Sequence, residues 1–220
     1  MEEIITYLPH LLQGTYITIQ LTIFSLIFSL IIGLLVAIGR LSTNKLIYKV
    51  CGVYISILRG TPLLVQLMYV YFVFPELGLQ LTAFQAAIIA LALNESAYLA
   101  ETFRAGIQSI PKGQMEAAKA IGMDYSLAMR RIILPQAIRN MLPAIGNSAI
   151  TLTKNSSLAA VITVSELMYQ GQILVASTFE NILIFTLVGV VYWLLHYPLV
   201  IFVNYLEKRG EYRNAEVAYK

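Results

Sequence analysis

The residues able to recognise charge are concentrated between positions 94 and 104. Asn94 and Glu101 are seven apart, so on a helix of 3.6 residues per turn they nearly superpose, with Tyr98 between them and Arg104 about 60° to one side. A carboxylate and a guanidinium so placed can each take an oppositely charged group of a third molecule, or neutralise one another as an i, i+3 pair. Glu95 lies about 120° from Glu101 around the same axis and serves a different contact or a place nearer the rim. Arg59 and Lys154 are the other charges set in apolar surroundings. Arg59 either lines an interior or snorkels toward headgroups, and Lys154 either binds a ligand or partners a carboxylate. Bond-making chemistry has little support. There is one cysteine, Cys51, and two histidines far apart, His10 and His196, which permit neither an internal disulfide nor a His/Cys metal cluster. No serine lies in a nucleophile-elbow motif.

The elements that must hold these groups are membrane spans. The 220 residues are 58% hydrophobic and 12% charged, with mean hydropathy +0.73, above the apolar share of a soluble domain. A net charge of +3 is a poor footprint for nucleic acid. Thr15 to Gly39 contains no charged residue, and as a helix it reaches roughly 37 Å, enough to cross a bilayer. Four further spans are predicted: 46–74, 83–110, 137–167 and 181–205. Glu2 and Glu3, with no Lys or Arg before the first span, argue against a cleaved signal peptide. A charge at the bilayer centre costs about 2.5–3.5 kcal/mol even on the lenient scale, so Glu101 and Arg104 are expected to face protein or a water-filled cavity. Arg59-Gly60-Thr61-Pro62 should break the second span, because Pro62 lacks a backbone donor, and Lys154-Asn155-Ser156-Ser157 should do the same in the fourth. His196, beside Pro198, is expected to make a buried interhelical hydrogen bond.

With five spans, twelve of the fifteen Lys and Arg residues fall on one side. The opposite segments, 1–14, 75–82 and about 166–180, carry Glu2, Glu3, Glu76, Glu166 and Glu180 but no Lys or Arg. This predicts an N-terminus outside and a cytoplasmic C-terminus, with 207–220 a solvated tail. The loop at about 111–135 is then cytoplasmic. Pro111 ends the third span, an Ala-rich helix follows, Gly122 supplies a left-handed cap, and Asp124 caps a second short helix that reaches Leu134 before Pro135. Ala117, Ala118 and Ala120 would let a partner approach closely. An interfacial helix pair lying on lipid headgroups is the blander alternative.

Glu116-Ala117-Ala118, Gly122, Ile132 and Leu134-Pro135, at their spacing, resemble the EAA loop of permease subunits of bacterial ABC importers. Arg59-Gly-Thr-Pro-Leu-Leu-Val-Gln66, Ala97-Tyr-Leu-Ala-Glu101-Thr-Phe-Arg104, Pro111-Lys-Gly-Gln114 and Lys154-Asn-Ser-Ser-Leu158 resemble the polar amino-acid branch of that family, and the likeness runs from Gly14 to about Leu206. Asn155-Ser156 departs from the Asp-Thr more usual in relatives, so an acidic residue's role does not carry over there.

The resemblance implies one transmembrane permease domain over 1–220: an all-α membrane protein, a five-span helical bundle of the type I importer permease kind, in the bacterial plasma (inner) membrane. It implies no catalytic residue, metal or cofactor in this chain. ATP and magnesium would sit on a partner ABC ATPase subunit, against which Glu116, Ala117, Ala118, Gly122, Ile132, Leu134 and Pro135 couple. A second permease subunit, preferably a second copy of this chain and alternatively a related one, and an extracytoplasmic amino-acid-binding protein complete the assembly. The absence of a G-x-x-x-x-G-K-[ST] sequence agrees with energy coming from a partner. The expected substrate is a basic amino acid, arginine, lysine or histidine, held by Glu101, Arg104, Asn94, Tyr98, Glu95, Arg59 and Lys154; glutamine or glutamate is the alternative. An ion-coupled secondary carrier or channel is the rival of a different class, and it offers no reason for the loop around Glu116.

Overall fold

The computed structural model describes the backbone of residues 2–218 and the side chains of residues 5–208. Within these limits every regular element is a helix. The elements are α1 (Glu2–Arg40), α2 (Lys45–Gly60), α3 (Leu63–Met68), α4 (Ala83–Gln108), α5 (Lys112–Ala120), α6 (Tyr125–Ala128), α7 (Leu134–Asn155), α8 (Leu167–Thr178) and α9 (Asn181–Ala218). A π turn (Tyr69–Val73) and a 3-10 turn (Phe74–Leu77) extend α3, a second π turn (Met129–Ile133) joins α6 to α7, and a 3-10 segment (Ser156–Ile162) follows α7.

Local chemistry explains the ends. Thr82 and Gln85 form a capping box at the start of α4, satisfying two of the donors that a helix N-terminus leaves free. Asn44 caps α2 by accepting from the Leu46 and Ile47 backbone. Between α2 and α3 the chain bends by 105°, with Thr61 and Pro62 both extended. The expected break in the second span therefore lies where Pro62 removes a donor. The fourth segment does not break at Lys154–Ser157 as expected: α7 passes at Asn155 straight into the 3-10 segment with helical backbone at Ser156, and the bend, of 49°, comes between Ile162 and Leu167, where Thr163 is left-handed.

α4 is the axis of the fold. In its most apolar stretch 61% of the residues are buried, against 11% for α9. Its buried face is dominated by small side chains, including Ala86, Ala90, Ala97 and Ala100, which let α1 lie against it closely. α1 is long enough to enter all three apolar clusters. It contributes Ala37 to one with Leu99, Ala137 and Met141, Leu21 to one with Leu67, Ala90 and Ile162, and Leu11 to one with Leu167, Ile184 and Val188. Near its start Gly14 crosses α8 so tightly that a Cβ there would lie 2.7 Å from the Leu167 Cα.

Several boundaries differ from the sequence expectation. α1 begins at Glu2 and carries Pro9 inside it, well before Thr15; the polar residues ahead of the apolar run do not stop a helix that packing supports on its inner face. Pro135 does not separate two helices: it occupies the first turn of α7, where a missing N–H costs nothing, and the π turn before it absorbs the change in register. Residues 167–178, assigned to a loop, form α8, which buries Leu167, Gln170, Gly171 and Leu174. Glu166 is accordingly no loop carboxylate but the fully buried N-cap of α8. α9 runs on through most of the expected tail to Ala218; residues 219 and 220 of that tail lie outside the described residues. His196 makes no interhelical bond, since its buried Nδ1 has no hydrogen-bond partner among the described residues. Three helices are long and apolar enough to cross a membrane, or up to five if each bent pair is one span.

Candidate functional site

The break between α2 and α3 opens a cavity of about 670 Å³. Arg59, Gly60, Thr61, Pro62 and Leu63 form one wall, Asn94, Glu95 and Tyr98 of α4 a second, and Thr151, Asn155 and Leu158 from α7 and the turn after it a third. Backbone exposed at such a break needs covering or a cavity to line, and most of it is covered by side chains. Thr61 Oγ1 donates to the Ile57 carbonyl at 2.8 Å. The amides of Gln66 and Asn94 donate to the Leu58 carbonyl at 2.8 and 3.1 Å.

Two opposite charges face this space. The Arg59 guanidinium lies 5.0 Å from the centre of the Tyr98 ring, a cation–π arrangement that holds it without neutralising it. Glu95 is 4% exposed, with the Ser148 side chain beside it. Among the described residues, neither has an ion-pair partner within 4.0 Å, since both close pairs there involve Glu101.

The seven residues expected to hold cargo thus divide. Arg59, Asn94, Glu95 and Tyr98 line the cavity; Glu101, Arg104 and Lys154 do not. Glu101 accepts from Arg104 Nε and Nη2 at 3.0 and 2.6 Å, and its other oxygen is 4.0 Å from Arg40 Nε. Lys154 is exposed and pairs with no carboxylate among the described residues. Ser148 and Thr151 escaped the sequence reading, and Asn155 entered it only as part of an expected helix break and as a departure from the family pattern. Their 3-and-4 spacing marks one helix face, a signal present in the chain but overshadowed by the charge of Lys154.

The loop at 111–135 is built much as its residues dictate. Gly122 has φ +83°, and Met123 N donates back to the Ala118 carbonyl at 3.0 Å, closing α5 with a left-handed cap. Asp124 accepts from Leu127 N at 2.7 Å. The EAA residues point two ways, however. Glu116, Ala117 and Gly122 are exposed, whereas Ala118 is 1% exposed and anchors α5 on the bundle instead of meeting a partner. Ile132 packs on the cluster around Ala137, with Leu134 and Pro135 half-buried. Ile121 and Tyr125, large side chains exposed on either side of Gly122, complete the outward surface and had no signature in the sequence reading.

Comparison with known proteins agrees with this architecture. "Probable glutamine ABC transporter permease protein GlnM" of Bacillus subtilis (strain 168) is 42% identical over 91% of this chain and 93% of its own length. The arginine transport system permease protein ArtQ of the same organism is 39% identical over 94% and 93%, and its L-cystine transport system permease protein TcyB is 40% identical over 93% and 88%. A crystal structure of an amino acid ABC transporter with histidines superposes with a TM-score of 0.89 at 37% identity, covering 94% of this chain and 97% of that one. An inward-facing MetNI methionine ABC transporter shares the fold at a TM-score of 0.68 and 22% identity, over 89% and 95% of the two chains. Residues 29–211 match a single family over most of the chain. A multi-pass membrane protein with apolar helices arranged around α4, the chain belongs to the family of binding-protein-dependent transport system inner membrane components.

Proposed function

We propose that the chain is the permease subunit of an ATP-driven importer of polar amino acids, and that the cavity at the α2–α3 break holds the cargo. The observation that carries this reading is the placing of Arg59 and Glu95, side chains of opposite charge type, on two walls of one cavity, neither of them in an ion pair among the described residues. A free amino acid offers the complement: its carboxylate suits the guanidinium and its ammonium suits the carboxylate, and buried charges need such partners. The cavity has no second uncommitted carboxylate for a cationic side chain, because Glu101 is already bound by arginines outside the lining. Asn155 and Thr151 suit a neutral polar group instead. Glutamine therefore replaces arginine, lysine or histidine as the preferred cargo, in keeping with relatives whose names span glutamine, arginine and cystine.

The bundle works as five spans with the N-terminus outside, as a pair of copies in a bacterial inner membrane, fed by an extracytoplasmic binding protein. Its ATPase partner carries ATP and magnesium and meets Glu116, Ala117, Gly122, Ile121 and Tyr125, while Ala118, Ile132, Leu134 and Pro135 fix that surface to the bundle. Closure of the ATPase pair draws the two loops together and turns the cavity to the other side, a two-state change that both partners bias.

The test is ATP-dependent uptake by proteoliposomes holding the chain with its ATPase and binding protein. Glutamine should be taken up and arginine should compete poorly, and Arg59→Ala and Glu95→Gln should each raise KM at least tenfold, about the loss of one charge-assisted bond. Arginine uptake that outcompetes glutamine would overturn the cargo assignment, and KM unchanged in both variants would overturn the site.

A further inference from the structure

Leu58 and Asn94 immediately precede Arg59 and Glu95, the two charges of the cavity, and they are bonded to each other: Asn94 Nδ2 donates to the Leu58 carbonyl at 3.1 Å. The same amide donates to Gln66 Oε1 at 3.1 Å. Gln66 Nε2 in turn reaches the Leu58 carbonyl at 2.8 Å, Thr61 Oγ1 at 2.8 Å and the Thr61 carbonyl at 3.2 Å. Two side-chain amides therefore tie the end of α2, the extended residues of the break, the start of α3 and the middle of α4 into one network. Asn94 is 7% exposed, and its donors are directed at protein acceptors, so it forms part of the wall instead of grasping cargo.

We infer that Asn94 and Gln66 are positioning residues: their amide clasp sets the separation of Arg59 and Glu95 and thereby the fit of the cavity to its ligand. Without the clasp, the Leu58 carbonyl at the end of α2 would lose both amide donors, and among the described residues the hydrogen bonds left between α2 and α4 would be those of Tyr54 to Ser96 and the Leu93 carbonyl, a turn before Leu58. The clasp also divides two spaces of opposite character. Thr61 and Asn94 face the polar cavity, while Thr61 and Gln66 face an apolar groove of about 370 Å³ bounded by Ile57, Val65 and Tyr69. Buried amide networks are costly when half satisfied and rigid when complete, so the pair resists the sliding of α3 past α4 that would merge the two. The inference rests on the proposed cargo site, because its functional consequence is ligand fit.

Two readouts test it. In the reconstituted complex, Asn94→Asp and Gln66→Met keep side-chain volume but remove donors. Each should raise KM for glutamine roughly tenfold, with maximal uptake within about twofold of wild type, as expected where ground-state fit is lost. In a Cys51→Ser background, spin labels at the exposed positions Val53 and Phe72, with the labelled chain diluted in an excess of unlabelled Cys51→Ser chain, should give one narrow distance distribution, which either variant shifts or broadens. Unchanged KM with an unchanged distribution overturns the clasp. Equal loss of KM fit and maximal uptake, with a narrow distribution, also overturns it. If the wild-type complex moves no amino acid, the proposed cargo site fails, while the spin-label measurement still decides whether the amides hold the break. Should Gln66→Met fail to insert, Asn94→Asp carries both readouts.

Discussion

Arg104 places two hydrogen bonds on a single oxygen of Glu101, from Nη2 at 2.6 Å and Nε at 3.0 Å. The other oxygen faces Arg40, 4.0 Å away at the end of α1, and Arg40 in turn stacks on Tyr48 of α2. The most conspicuous acidic residue of the α4 face is thus engaged in joining helices.

Glu101→Gln should accordingly affect stability more than transport. The pair is part-exposed, with side-chain accessibilities of 29% and 24%, so a loss of about 1 kcal/mol is expected. A fall of a few degrees in the thermal midpoint of the purified complex, with glutamine KM within about twofold of wild type, is the predicted result. A tenfold rise in KM would make Glu101 a cargo ligand.

Gly122→Val should uncouple ATP hydrolysis from transport while the protein still inserts. A Cβ at Gly122 meets nothing within 4 Å, so the effect comes from φ +83° alone, a conformation that costs an L-residue roughly 1–2 kcal/mol. Gly122→Asn should retain more coupling, since asparagine tolerates left-handed backbone. Substrate-stimulated ATPase activity in membranes measures both; normal stimulation in the valine variant would show that the bend does not matter.

The partition of Lys and Arg predicts opposite sides for two exposed positions, Leu79 and Ile121. With Cys51 replaced by serine, an impermeant maleimide should label Leu79→Cys in intact spheroplasts and Ile121→Cys only after permeabilisation. Labelling in the reverse order would invert the topology and remove the loop from the ATPase.

Glu166→Ala should be among the most destabilising single changes. Its buried carboxylate accepts from the Tyr169 backbone at 2.8 Å and from Tyr192 Oη at 2.6 Å, with Thr18 Oγ1 at 3.4 Å, so its removal leaves buried donors unpaired on three helices. About 3–5 kcal/mol is expected, read as loss of monodisperse complex on size exclusion. Tyr192→Phe, which removes one bond and one donor together, should cost about 1 kcal/mol. Equal behaviour of the two variants would show that Glu166 does no more than accept from Tyr192.

What the sequence determined by itself was local or compositional. The break at Gly60–Pro62, the left-handed Gly122, the Asp124 cap and the need for apolar surroundings follow from the conformational range and hydrogen-bonding groups of single residues, or from hydropathy over a stretch. Such preferences act within a few positions along the chain and survive in any tertiary context that permits a helix. The tertiary structure alone decided which charges meet. Glu95 and Glu101 lie on one helix six residues apart, yet one lines the cavity and the other is held by Arg104 and Arg40. Glu166 looks like a loop carboxylate until α8 and α9 close over it. These outcomes depend on the rotation and register of each helix against its neighbours, set by the fit of small residues such as Ala90, Ala97 and Gly14 across the α1–α4 and α1–α8 contacts. Packing of that kind sums many weak contacts between residues distant in sequence, and no spacing along one helix encodes the partner that another will bring.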